Sequence, residues 1–116
     1  MDYGWTVEFH NNKVEAEFDE LSADLQAKIV HITQLIEEFG LHSVREPYVR
    51  HVQDKIREIR TQGKSKLARS LYITAHEKRV VILRIFIKKT RKTPKREIEL
   101  ALQRTKEIDH GEKNKR

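Results

Sequence analysis

The chain has 116 residues, 37% of them apolar and 36% charged, with a formal net charge of +6 and no cysteine. That length supports one hydrophobic core but not two. The lack of cysteine excludes a disulfide scaffold, thiolate-bound zinc and a cysteine nucleophile. No apolar run approaches the ~18–20 residues of a membrane span, and the N-terminus lacks the basic start and apolar stretch of a signal peptide. The expectation is a small basic domain, soluble and cytoplasmic, with no membrane partner.

Its charge is unevenly placed. Residues 1–49 carry three basic and ten acidic residues, and residues 50–116 carry 21 basic and eight acidic ones. The densest stretch, Lys88 to Arg96, holds six cations in nine positions. Like charges so crowded repel one another, and a polyanion would offset that cost. Nucleic acid is favoured over a membrane surface, because the run is not one face of an amphipathic helix.

Along the chain, Tyr3 to Phe9 alternates apolar and polar residues, a strand pattern. Asn11-Asn12 breaks it. From Val14 to Phe39 apolar residues recur every three or four positions, the mark of an amphipathic helix or helical hairpin. Ser22 is the expected N-cap dividing the two, and Gly40 the stop. Leu41 to Asp54, with Pro47 and no clear period, reads as a loop. Three strands are expected next: Lys55 to Arg60, Leu67 to Thr74 and Arg79 to Lys88, the last two forming a hairpin. Thr93-Pro94 is the expected N-cap and first-turn proline of a final helix, buried through Ile98, Ala101, Leu102 and Thr105. From His110 the tail is expected to fray. This predicts one domain over residues 1–110 with a flexible charged tail over 111–116. The class is α+β: an N-terminal strand and helical hairpin, a four-stranded antiparallel sheet with helices on one face, and a C-terminal helix.

Some arginines are out of place in this scheme. Arg84 interrupts the apolar run Val80 to Ile87, and Arg69 shares a strand face with Leu67, Leu71 and Ile73. A buried, unpaired guanidinium is costly, so each must pair or look into a cleft. Either Glu58 pairs with them in a satisfied network, or Arg57, Arg60, Arg69 and Arg84 converge on an open sheet face. Arginine's planar fork suits phosphate there. The six histidines show no metal-ligand spacing, and the four scattered glycines make no phosphate-cradling loop. No metal or cofactor is expected.

The stretch from Arg79 to Glu99, and above all Phe86 to Pro94 (a strand-ending Phe, two Lys, Thr, Arg, Lys, Thr, Pro), resembles the RelE/ParE superfamily of bacterial toxins, in its HigB-like phage-derived branch. Glu46-Pro47-Tyr48-Val49, Glu58-x-Arg60, Ala68-Arg69-Ser70-Leu71-Tyr72 and Glu37-Glu38-Phe39-Gly40 are similar to further signatures of that branch. The resemblance covers about residues 5–108. It implies a RelE-like fold and the toxin of a type II toxin–antitoxin system. The implied activity is metal-independent endonucleolytic cleavage of mRNA, usually on the ribosome, by attack of the substrate's own 2′-hydroxyl. The implied silencing partner is a helix-turn-helix antitoxin.

By the same resemblance, Arg69 would clamp the scissile phosphate. Lys88 and Lys89 would stabilise charge, one of them acting as general base if crowding cations lower its pKa, and Arg84 would be a further catalytic residue. Arg57, Arg60, Lys64, Lys66, Arg91 and Lys92 would bind the RNA. The chain departs from the branch at Arg84, where a histidine is usual, at Ile85, usually glycine, at Arg57, usually aromatic, and at Lys55, usually glycine. Those departures keep open a non-catalytic alternative: a gyrase-type inhibitor, or a binder of RNA or an acidic partner.

Overall fold

The structure, a computed structural model, describes residues 4–44 and 49–114, with side chains described as far as Ile108. The elements are β1 (Thr6–Phe9), α1 (Asn12–Asp19), α2 (Ala23–Phe39), a 3₁₀ turn (Leu41–Ser43), β2 (Val49–Gln53), β3 (Ile56–Gln62), β4 (Leu67–Ala75), β5 (Arg79–Ile87) and α3 (Lys95–Asn114). Within the resemblance, Glu46, Pro47 and Tyr48 lie outside the described residues.

The helical hairpin forms as its periodicity predicts, and its corner shows how. Asn11 caps α1, its Oδ1 accepting from the amides of Lys13 and Val14 at 3.0 and 3.2 Å. The Gln26 side-chain amide then donates to the carbonyls of Phe18, Asp19 and Leu21, each at 3.1 Å, pinning α2 against the end of α1. Ser22 occupies the N-cap position of α2 but its side chain makes no cap bond. Its hydroxyl donates instead to Asp24 Oδ1 at 2.6 Å. Gly40 ends α2 at φ +92°, a backbone angle that glycine adopts without strain.

The sheet has five strands in the order β1-β5-β4-β3-β2. β1 runs parallel to β5 and the other neighbours are antiparallel. The fold class is α+β as expected, but the sheet is mixed rather than all antiparallel, because β1 lies parallel beside β5, and two further details of the expectation are corrected. First, the segment read as a loop contains β2, which pairs with β3 through a tight turn at Asp54 (φ +53°). The ladder shifts register between His51 and Gln53. Second, helices cover both faces. Val14, Leu25, Ile29 and Ile36 from the hairpin pack with Val49, Ile59, Ala68, Tyr72, Val80, Ile82 and Ile85 on one face. Ala101 and Ile108 of α3 pack with Ile56, Leu71, Ile73, Val81, Leu83 and Phe86 on the other. The central strands β4 and β5 are therefore apolar on both sides, which is why they read as near-continuous hydrophobic runs. Truncating one of these side chains, as in Ile82→Ala, is expected to cost about 2–5 kcal/mol.

On its side of the sheet α3 lies against β4 and β5. It begins at Lys95 rather than at a Thr93 cap, the Pro94 carbonyl receiving the amides of Glu97 and Ile98. At its other end it continues through His110 and Gly111 to Asn114. β5 carries one irregularity that matters for the site. Leu71 pairs with Arg84 but Tyr72 pairs with Ile82, so Leu83 is an extra, bulged residue.

Candidate nucleic-acid interface

The end of β3, the start of β4 and the end of β5 meet at one end of the sheet, as antiparallel pairing requires. The turn after β3 brings Lys64 and Lys66 there, and the segment after β5 brings Lys88, Lys89, Arg91 and Lys92. A hydrogen bond from the Lys88 amide to the Leu67 carbonyl, at 2.8 Å, ties the two segments together. Lys64, Lys66, Lys89, Arg91 and Lys92 are exposed and Lys88 is half-buried. Six of the expected RNA-binding or catalytic cations thus occupy one edge of the molecule.

Each segment is held by specific contacts. Asp24 Oδ2 accepts the Lys64 amide at 2.8 Å, and Lys28 Nζ donates to the Gln62 carbonyl at 2.7 Å, so the β3–β4 turn docks on α2. Bonding to Ser22 and to the Lys64 amide holds the Asp24 carboxyl below its ordinary value. Gly63 lets this turn approach α2 closely: a Cβ there would lie 2.7 Å from Asp24 Oδ2 and 2.9 Å from Leu25 Cδ2, so a larger residue must displace those side chains.

The segment 88–94 is organised from beneath by Arg69. Its guanidinium donates to Thr93 Oγ1 at 2.8 Å, to the Arg91 carbonyl at 2.6 Å and to the Thr90 carbonyl at 3.5 Å. Thr93 Oγ1 donates in turn to Glu58 Oε1 at 2.8 Å, and Glu58 Oε2 lies 3.5 Å from Arg69 Nε. Both charged side chains are 1% exposed. Burial, with Arg60 and Arg50 nearby, pulls the Arg69 guanidinium below its ordinary value while Glu58 pushes it up. With the loop carbonyls turned inward onto Arg69, the side chains of Arg91 and Lys92 are left facing solvent. Arg69 therefore touches no surface from which it could reach a phosphate directly. It fixes the cationic loop, and the Glu58 pairing offered by the sequence is the arrangement found. Thr93, read as a helix cap, is the hinge of this network.

Arg84 is bound elsewhere. Its Nε and Nη2 donate to Glu97 at 2.9 and 3.2 Å, and its Nη1 lies 2.8 Å from Glu17 Oε2. Burial works against the charged form, but Glu97 and Glu17 more than offset it and hold the guanidinium above its ordinary value. Glu17 also accepts the Ile85 amide at 3.1 Å and the Arg104 guanidinium at 3.1 Å, and Arg104 donates to the Leu83 carbonyl at 2.6 Å. β1 pairs with β5 only as far as Ile82. These side chains satisfy the backbone of the strand edge that β1 leaves uncovered, and they join α1, β5 and α3. Glu17, Glu97 and Arg104 were invisible as site-forming residues in the sequence, since Glu17 lies 67 positions from Arg84 with no spacing rule to link them.

Arg57 and Arg60 part company. Ile56 belongs to the α3-side core and Ile59 to the hairpin-side core, so alternation puts Glu58 and Arg60 on the α3 side and Arg57 on the other. Arg57 bonds the Tyr72 side chain there, while burial raises the Tyr72 phenol above its ordinary value. Arg60 is half-buried opposite Arg69. Exposed Arg50 stands opposite Glu58 on the α3 side and extends the basic surface. Reading β2 as a loop hid it. Among the described residues no three His, Cys, Asp or Glu side chains converge as a metal site would require, and no helix is long and apolar enough to cross a membrane.

Comparison with protein-family models gives a match. The sequence model of the family described as Phage derived protein Gp49-like aligns with residues 16–106. No curated protein matches the chain. The matched span runs from α1 to the middle of α3 and includes both arginine networks and the cationic loop.

Proposed function

Because the chain belongs to the Gp49-like family of phage-derived proteins, we propose that it is the toxin of a type II toxin–antitoxin pair, of the RelE/HigB-like kind, and an endoribonuclease that cleaves mRNA in the cytoplasm, on the ribosome. The observation that carries this reading is the cationic end of the sheet, where Lys64, Lys66, Lys88, Lys89, Arg91 and Lys92 stand together on segments fixed from beneath. Such a surface binds a phosphate backbone by releasing its counterions. Preorganised cations also stabilise the extra charge of a pentavalent phosphorane.

In the proposed reaction the 2′-oxygen of one nucleotide attacks the adjacent phosphorus and the bond to the 5′-oxygen of the next breaks. The products are a 2′,3′-cyclic phosphate and a 5′-hydroxyl end. Of Lys88 and Lys89, one acts as the free amine and takes the 2′-hydroxyl proton, while the other, charged, stabilises the phosphorane and gives a proton to the leaving 5′-oxygen. Lys64, Lys66, Arg91 and Lys92 hold the backbone, with Arg60 beside them, and Arg69 and Arg84 act by positioning. A helix-turn-helix antitoxin is the proposed silencing partner.

A second reading has one observation in its favour. Arg84 stands where a histidine is usual in the branch, and Glu17 and Glu97 bind it, so no imidazole is available there to move protons. A protein without that group could act by binding alone, as a gyrase-type inhibitor or an RNA binder. Primer extension on mRNA from a translation reaction, with and without the purified protein, separates the two. New 5′-hydroxyl ends within the coding region support the ribonuclease. Intact mRNA from folded protein leaves the binder.

A further inference from the structure

The loop that carries Lys88 and Lys89 has a second flank. Beside it opens a cleft of about 490 Å³, between the end of α1, the uncovered edge of β5 and the first turn of α3. That volume lies within the ~300–1,000 Å³ of small-ligand sites. It exists because β1 stops at Phe9, opposite Ile82, and leaves the rest of β5 with no strand on that side. Its apolar floor is Phe86, Ile87 and Leu21, with Pro94 at the loop side.

The charges lining the cleft are of two kinds. Glu17, Glu97 and Arg84, together with Arg104 behind them, neutralise one another through the bonds described above. Glu20, Lys89 and Arg96 also line it, are exposed, and have no side-chain partner among the described residues. One carboxylate and two cations are thus left for a ligand. Arg84, 24% exposed, is held by Glu97 and Glu17, and its guanidinium carbon sits 6.0 Å from the Phe86 ring centroid. A guanidinium immobilised in this way offers a flat face to a stacked base.

We infer that this cleft receives one nucleotide of the RNA next to the cleaved bond and prefers guanine. The inference rests on the function proposed above. The base stacks on Arg84, the Glu20 carboxylate accepts the paired donors of guanine's Watson–Crick edge, and Lys89 and Arg96 meet the flanking phosphates. Adenine presents one donor and one acceptor on the same edge and cannot satisfy a carboxylate in this way. Lys89, shared by loop and cleft, sets the path of the strand from one to the other.

The test uses the full chain and uncleavable 2′-O-methyl oligouridines carrying a single guanine or a single adenine, with affinity read by fluorescence anisotropy. The wild type should bind the guanine oligomer about fivefold or more tightly than the adenine one. Glu20→Gln should abolish that difference, the adenine oligomer gaining affinity because its donor and acceptor match a carboxamide. Arg96→Ala should weaken both oligomers equally and lower the salt dependence by about one phosphate contact. Both residues are exposed, and thermal melts verify that the variants fold. Equal affinity of the wild type for the two oligomers, or a guanine preference that survives Glu20→Gln, overturns the inference alone. No binding of either oligomer by the wild type overturns the RNA reading on which it rests.

Discussion

Two arginines that look alike in sequence, each interrupting an apolar strand, do different work. Arg69 faces α3 in the middle of the sheet, and its side chain is closed in by Glu58, Thr93 and two loop carbonyls. Arg84 sits at a bulge on the open edge of β5 and is shared between Glu17 of α1 and Glu97 of α3. The first shapes a loop whose own cations face outward. The second joins two helices across an edge that no strand covers and lines a cleft. A charged residue inside a strand therefore says that a polar partner is near, but not whether that partner is the protein or a ligand.

The comparison can be broken most sharply at the buried pair. Glu58→Ala leaves Arg69 charged, buried and short of its partner, and should lower the unfolding free energy by about 3–5 kcal/mol in denaturant titration. Thr93→Val keeps the shape but removes the bridge between Glu58 and the loop. It should cost about 1–3 kcal/mol and speed hydrogen exchange of the amides in residues 88–93. Arg84→Met, at the wall of an open cleft where Glu17 keeps Arg104 as a partner, should cost less than Glu58→Ala, about 1–2 kcal/mol. If Arg84→Met proved the more damaging of the two, the assignment of Arg69 as the buried organiser would be wrong.

A smaller effect concerns pH. The Asp24 carboxyl is held below its ordinary value in the folded state by Ser22 and the Lys64 amide. A depressed carboxyl stabilises the fold above its unfolded-state pKa of about 3.9 and loses that contribution as pH falls through the lower folded value. Below about pH 4 the β3–β4 turn should loosen, seen as a chemical-shift change at the Lys64 amide. Asp24→Asn should abolish that titration.

Much of the fold was legible from pattern. The helical period from Val14 to Phe39, the stop at Gly40 and the apolar runs of β4 and β5 each give the observed element. β2 was hidden because its two apolar residues, Val49 and Val52, stand three apart and face opposite cores, so no alternating apolar stripe marks the strand. The sheet was read as four-stranded for that reason. The site was legible as composition but not as geometry. The density of cations from Lys88 onward marked a segment whose Lys89, Arg91 and Lys92 are exposed. What chain spacing cannot encode is that Thr93 bonds Glu58 and Arg69 instead of capping a helix, or that Glu17 reaches Arg84. Arg57 and Arg60 look equivalent in sequence until the phase of β3 places them on opposite faces.

The central claim is that the solvent-facing loop lysines carry out the chemistry while the buried arginines hold their positions. It is tested most directly by Lys88→Ala/Lys89→Ala, assayed for RNA cleavage beside its own thermal unfolding. Both changes lie outside the ion-pair networks, so stability should stay within about 0.5 kcal/mol of the wild type. Cleavage should meanwhile fall by about 100-fold or more, as loss of transition-state charge stabilisation does elsewhere. A double variant that folds as well as the wild type and still cuts RNA at the wild-type rate would contradict the account.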